Sequence, residues 1–112
     1  QIGLGVPVYF FFNLNSVELV DKSQLVNLDE IATIAIQQGY DVTISGAADS
    51  ATGTEAINNN LSKRRADYIV DELVKRGLKK ERLHGYSYGG ISKYESNEAN
   101  RFTIVTLTSI NH

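Results

Sequence analysis

An arginine on the wrong side of a helix constrains this chain more than any other feature. Residues 54–76 read as one helix. On a wheel advancing ~100° per residue, Leu61, Ala66, Ile69 and Leu73 fall in a single apolar stripe. Arg65 falls inside that stripe, while its neighbours Lys63 and Arg64 point away as ordinary surface charges. Ser62 and Asn58, one and two turns earlier, lie within roughly 60° of it. A guanidinium in an apolar stripe needs a partner, because an unpaired buried charge is very costly. The nearest acid outside the helix is Asp49, in the Gly/Ser/Thr-rich stretch just before it. Two readings stay open on spacing alone. Asp49 and Arg65 form an internal ion pair that staples loop to helix, or they share a ligand site at one rim.

The rest of the chain reads as scaffold for that rim. Residues 6–12 (VPVYFFF) form a continuous apolar run suited to a strand covered on both faces, with Pro7 near its start. Asn13 to Ser16 is a polar exit in which Asn15 reads as a turn residue or a ligand contact. Asp21 and Gln24 have capping-box spacing and open a first helix over 22–38. Its inward face is expected to carry Leu25, Leu28, Ala32, Ala35 and Ile36, and Gly39 to end it. Tyr40, Val42 and Ile44 alternate with polar residues and predict a strand. Residues 47–54 are expected to form a loop, with Thr54 as N-cap of the second helix and Gly77 just past its end. Residues 82–88 predict a third strand, 89–100 an irregular segment, and 101–108 (RFTIVTLT) a last strand. The order is β-α-β-α-β-β. This is an α+β fold, a mixed four-stranded sheet with two helices packed on one face. At 112 residues the chain holds one domain with a single modest core, taken as residues 1–112. Gln1 is not a natural start, so the chain is expected to be a C-terminal piece of a longer protein.

Residues 46–66 also carry a pattern that resembles the signature of the OmpA-like C-terminal domain, which is shared with the Pal lipoproteins and the flagellar stator protein MotB. That pattern runs G-H-T-D, a short loop, then Y-N-x-x-L-S-x-x-R-A. Here Asn58, Leu61, Ser62, Arg65 and Ala66 match the second half fully. Gly46 and Asp49 match the first half, with Ala47 and Ala48 at the His and Thr positions. Ile57 stands at the Tyr position, and the loop is one residue longer. Leu14, Asn15 and Ser16 stand where the family reads F-D-S, so the usual acid is an amide. Asn100 and Arg101 match its N-R start of the last strand. The resemblance covers about residues 8–108 and implies the same fold.

What it implies in function is non-catalytic binding of peptidoglycan through the meso-diaminopimelate of the stem peptide. Such a module would anchor an outer-membrane protein to the wall from the periplasm of the Gram-negative envelope. The chemistry fits, since the free end of that diamino acid bears an ammonium and a carboxylate on one carbon. Asp49 is expected to accept from the ammonium and Arg65 to present its planar fork to the carboxylate. Asn58 is expected to orient the loop or bond Asp49. Backbone N–H groups at Leu14, Asn15 and Ser16 would complete the carboxylate site, and Arg101 would line the rim. On this view Arg65→Ala abolishes wall binding and leaves a folded domain, and Arg65→Lys binds poorly. The alternative is a structural or protein-interaction domain that kept the fold and lost the ligand.

Other chemistries find little support. Net charge is −2 with the signs interspersed, so no basic field attracts nucleic acid. No cysteine is present, and no run reaches the ~18 apolar residues of a membrane span. Gly85 to Gly89 matches G-x-S-x-G around Ser87. A nucleophile elbow needs a helix straight after the serine, however, and the later histidine is the terminal His112. With His84 and His112 as the two histidines, no transition-metal set forms, and no Walker lysine follows Gly53. No metal or cofactor is expected. The six tyrosines read as core and sheet surface, with Tyr86, Tyr88 and Tyr94 the candidates for rim contacts, and any oligomer would form through parts of the parent protein outside this chain.

Overall fold

A computed structural model describes residues 2–109; Gln1 and His112 lie outside the described residues. Four strands and two helices follow in the expected order. They are β1 (Val8–Phe11), α1 (Leu25–Gln38), β2 (Asp41–Asp49), α2 (Glu55–Lys75), β3 (Leu83–Ile91) and β4 (Phe102–Thr108). The sheet runs β1-β4-β2-β3, with β4 antiparallel to both neighbours and β2 parallel to β3. Both helices pack on one face of this mixed sheet. Phe10, Val42, Ile44, Val105 and Leu107 from the strands meet Leu28, Ile31 and Ala35 of α1 and Ala66, Ile69 and Leu73 of α2 in one buried core.

Local chemistry explains most boundaries. Thr54 is extended and its hydroxyl accepts from the Ile57 N–H at 3.2 Å, which fixes the start of α2. Gly39 ends α1 at φ +70°, and Gly77 follows α2 at φ +101°, both in the left-handed region open to glycine.

Four expectations are corrected. The first helix begins as a 3-10 turn (Lys22–Gln24), and no capping box forms. Asp21 accepts from the Ser23 N–H at 2.9 Å, while Gln24 turns to β1, accepting from Phe11 N–H at 3.4 Å and donating to Tyr9 O at 3.3 Å. An edge strand has free backbone groups, and a side-chain amide satisfies a donor and an acceptor at once. Ile36 is 53% exposed, because the buried arc of α1 is Leu28, Ile31, Ala32 and Ala35. The strand after α1 runs on to Asp49 instead of giving way to a loop at residue 47, so Asp49 closes β2 and the loop starts after it. β3 likewise continues to Ile91, pairing Ala48 with Gly90 and Asp49 with Ile91 beyond a register shift. Small side chains on both strands hid this length, since they carry no alternating pattern.

Candidate functional site

The sheet-facing side of α2 meets the end of β2, and each signature residue has a definable job there. A Cβ on Gly46 would lie 2.0 Å from Ser62 O and 2.9 Å from Ala66 N, so glycine at 46 and alanine at 66 let strand and helix backbones touch. The Ser62 hydroxyl accepts from Gly89 N–H at 3.1 Å and donates to Asn59 O at 3.0 Å, which ties α2 to β3. Asn58 Nδ2 donates to Thr52 O at 3.0 Å and closes the loop after β2.

Arg65 is fully buried, 0% exposed, as the wheel demands. Its partners, however, are carbonyls and not a carboxylate. Nε donates to Ser16 O at 2.9 Å, Nη1 to Ala47 O at 2.9 Å and Nη2 to Asn13 O at 3.0 Å. The Phe12 ring lies 5.3 Å from the guanidinium carbon. Three of the five N–H groups are thus engaged, leaving one on each terminal nitrogen. The direct Asp49–Arg65 ion pair entertained from spacing does not form. Asp49, 3% exposed, instead accepts from Arg101 Nε at 2.6 Å and from the Thr52 hydroxyl at 2.8 Å.

These partners fix the charges. Burial alone would push the Asp49 carboxyl up, but the hydrogen bonds from Arg101 and Thr52 outweigh it and hold it below its usual range. Burial pushes the Arg65 guanidinium down to about 10; Asp49 opposes that fall and Arg101 adds to it. Arg65 therefore stays charged at neutral pH, and two arginines share one aspartate, a surplus of one positive charge.

Above this cluster opens a cleft of about 200 Å³ lined by Leu14, Asn15, Ala48, Asp49, Thr52, Gly53, Ile57, Asn58 and Leu61. The structure brings Leu14, Asn15, Asp49 and Asn58 together at its wall. Arg65 and Ser16 sit behind it, joined by the Arg65–Ser16 bond, and Arg101 reaches in through Asp49. Asn58 orients the loop and does not bond Asp49. Asn15 adopts φ +49°, a left-handed turn that asparagine tolerates, and with Leu14 it is exposed. Thr52, Ile57 and Leu61 are wall residues beyond the expected set. Ile57 was legible as the residue at the family's Tyr position, whereas Thr52 left no signal before the loop closed on Asp49. Among the tyrosines, Tyr94 lies away from the cleft, its hydroxyl 2.8 Å from that of Tyr9, and Tyr88 lines a neighbouring pocket. Ser87 sits mid-strand with β3 continuing past it, so the turn into a helix that an elbow needs is not made. His84 is a strand residue with Nε2 2.8 Å from Asp41 Oδ2.

The sequence profile of the OmpA family matches residues 11–102. Outer membrane protein 40 of Porphyromonas gingivalis is 34% identical over 98 residues, covering 86% of this chain and 25% of that protein. Outer membrane protein 41 of the same organism is 37% identical over 89 residues, covering 78% and 22%. The chain thus spans about a quarter of the length of the curated relatives it matches. Among solved structures, the peptidoglycan-associated lipoprotein from Burkholderia pseudomallei aligns with a TM-score of 0.76 at 20% identity, covering 89% of each chain. The C-terminal domain of Helicobacter pylori MotB aligns at 0.75 and 20%, covering 92% of this chain and 85% of that one. The OmpA-like domain of FopA1 from Francisella tularensis aligns at 0.73 and 20%, covering 99% and 79%. These likenesses carry the fold.

Proposed function

This chain belongs to the OmpA family, and on that premise we propose that it is a non-catalytic module that binds peptidoglycan in the periplasm. Its parent protein would thereby be held to the wall beneath the outer membrane. The observation that carries the reading is the charge balance under the cleft. Asp49, Arg65 and Arg101 are clustered and shielded from solvent, and they sum to one uncompensated positive charge. A ligand carboxylate balances that surplus, and an ammonium on the same carbon falls within reach of Asp49. The free end of meso-diaminopimelate presents those two groups together. The exposed turn at Leu14 and Asn15 supplies backbone N–H groups to the carboxylate.

A second reading has its own support. Arg65 holds three carbonyls from two segments, the turn at residues 13–16 and the end of β2, which is what a residue kept for scaffolding does. In that case the chain is a structural or protein-interaction domain.

Co-sedimentation with purified sacculi separates the two, with free meso-diaminopimelate as competitor and Asp49→Asn as control. Competable binding that disappears in a variant still melting cooperatively supports the wall-binding module. No binding by folded wild type overturns it and leaves the scaffold reading.

A further inference from the structure

Asp49 has little of itself left to offer a ligand. It is 3% exposed, and each of its oxygens already accepts a hydrogen bond, Oδ2 from Arg101 Nε at 2.6 Å and Oδ1 from the Thr52 hydroxyl at 2.8 Å. Thr52, in contrast, is exposed and lines the cleft. Its hydroxyl carries one proton, and that proton goes to Asp49. No donor among the described residues reaches the hydroxyl oxygen. Toward the cleft Thr52 Oγ1 therefore offers lone pairs alone, and donation to an anion makes them stronger acceptors.

A second acceptor lies beside it. Asn58 is 6% exposed, and its Nδ2 donates to Thr52 O at 3.0 Å. That bond fixes which end of the amide is which. Asn58 Oδ1 then accepts from no group among the described residues. A Cβ on Gly53 would lie 3.1 Å from this oxygen, so glycine leaves it uncovered. Thr52, Gly53 and Asn58 all line the cleft. A nearly buried amide with an idle carbonyl oxygen calls for a donor from outside.

The charges around these oxygens narrow what that donor can be. Arg101 holds the Oδ2 side of Asp49, so a cation is repelled least at the Oδ1 side, where Thr52 sits. Two acceptors with no donor of their own, next to a carboxylate, favour a positive group with several N–H bonds. An ammonium has three, whereas a hydroxyl has one proton to give.

We propose that Thr52 determines specificity in the ammonium half of the cleft: its hydroxyl oxygen accepts one N–H of a primary ammonium, Asn58 Oδ1 accepts a second, and Asp49 supplies the charge behind them. The proposal rests on the wall-binding reading and deepens it, because the ligand meets the negative charge of Asp49 through Thr52.

The test uses two ligands, titrated by chemical shift at up to millimolar concentration. One is the stem tripeptide ending in meso-diaminopimelate. The other is the same tripeptide ending in α-aminopimelate, which keeps the distal carboxylate and lacks the ammonium. Wild type is expected to prefer the first by roughly ten- to a hundredfold. Thr52→Val should cut that ratio about five- to tenfold, chiefly by weakening the ammonium-bearing ligand, and Thr52→Ser should keep it within about twofold. Thr52 is exposed, and Asn58 bonds its backbone carbonyl, so both variants are expected to fold with the loop closed. A ratio unchanged in Thr52→Val overturns the proposal. Equal weakening of both ligands also overturns it, since Thr52 then only holds the loop. Equal binding of the two ligands by wild type overturns the ammonium contact and leaves the carboxylate half standing. Failure of folded wild type to bind either ligand overturns the wall-binding reading as well.

Discussion

A buried arginine whose partners are all main-chain carbonyls behaves differently from one held by an acid. The stripe position of Arg65 was legible as an anomaly, because helical spacing alone puts it inside. Its acceptors were not, since carbonyls carry no residue-type signal, and those of Asn13, Ser16 and Ala47 come together only in the fold. The expectation that Arg65→Ala leaves the fold untouched changes accordingly. Removing the side chain strands three carbonyls, so Arg65→Ala should cost about 3 kcal/mol, measured by urea denaturation. Arg65→Lys should recover little of this, because one ammonium cannot fan out to three acceptors. A midpoint unchanged in both variants would show that these bonds contribute nothing. Asp49 has a different dependence. Its carboxyl is held below the usual range, so its contribution is present above the unfolded value of about 4 and is lost as pH falls through the lower folded value. Asp49→Asn should therefore be less stable than wild type by roughly 1–3 kcal/mol at neutral pH. The gap should close as wild type is titrated below pH 3. A gap that stays constant from pH 7 to pH 2 would mean that the charge on Asp49 is not what Arg101 recognises.

Between elements, the contact that sets the site is the one between β2 and α2. The Thr54 cap of α2, the glycines that end both helices and the four strands could be read from periodicity and end signals, the start of α1 could not, and the resemblance in residues 46–66 pointed to the same order. What could not be read was how far β2 and β3 run, because Gly46, Ala47, Ala48, Gly89 and Gly90 have no side chains large enough to alternate. Those same small residues make the close approach possible. At Gly46 the obstacles to a Cβ are backbone atoms of Ser62 and Ala66, which cannot swing aside. Gly46→Ala should then push α2 off the sheet and cost about 2–3 kcal/mol. Gly85→Ala is the control, since its Cβ would make one ordinary contact of 3.9 Å with Val70, and it should be neutral or slightly stabilising. Equal midpoints for the two variants would mean that strand and helix have room to spare. Because Ser62 also anchors Gly89, the Gly46→Ala displacement should spread to Tyr88, visible as shifted β3 amide resonances.

At the scale of the whole molecule, the proposed reading sets one small cleft against an extended wall. A radius of gyration of 13.6 Å is what a 112-residue chain with its own core should have, so this domain should fold alone. A few charge-assisted bonds to one zwitterion give only micromolar to millimolar affinity, too weak for a single copy to hold a membrane to the wall. A polymer that repeats the ligand changes the arithmetic, since a second tethered copy binds at an effective concentration set by its linker. Two copies joined by a long flexible linker should therefore hold sacculi about 10- to 100-fold more tightly than one copy. Against free meso-diaminopimelate in solution, where each site meets its own ligand, affinity per site should not change. Comparing co-sedimentation on sacculi with titration of the soluble ligand reads both quantities from one pair of proteins. If linking gives no gain on sacculi, accessible stem peptides are too sparse for a second copy to reach, and avidity does not strengthen the wall contact.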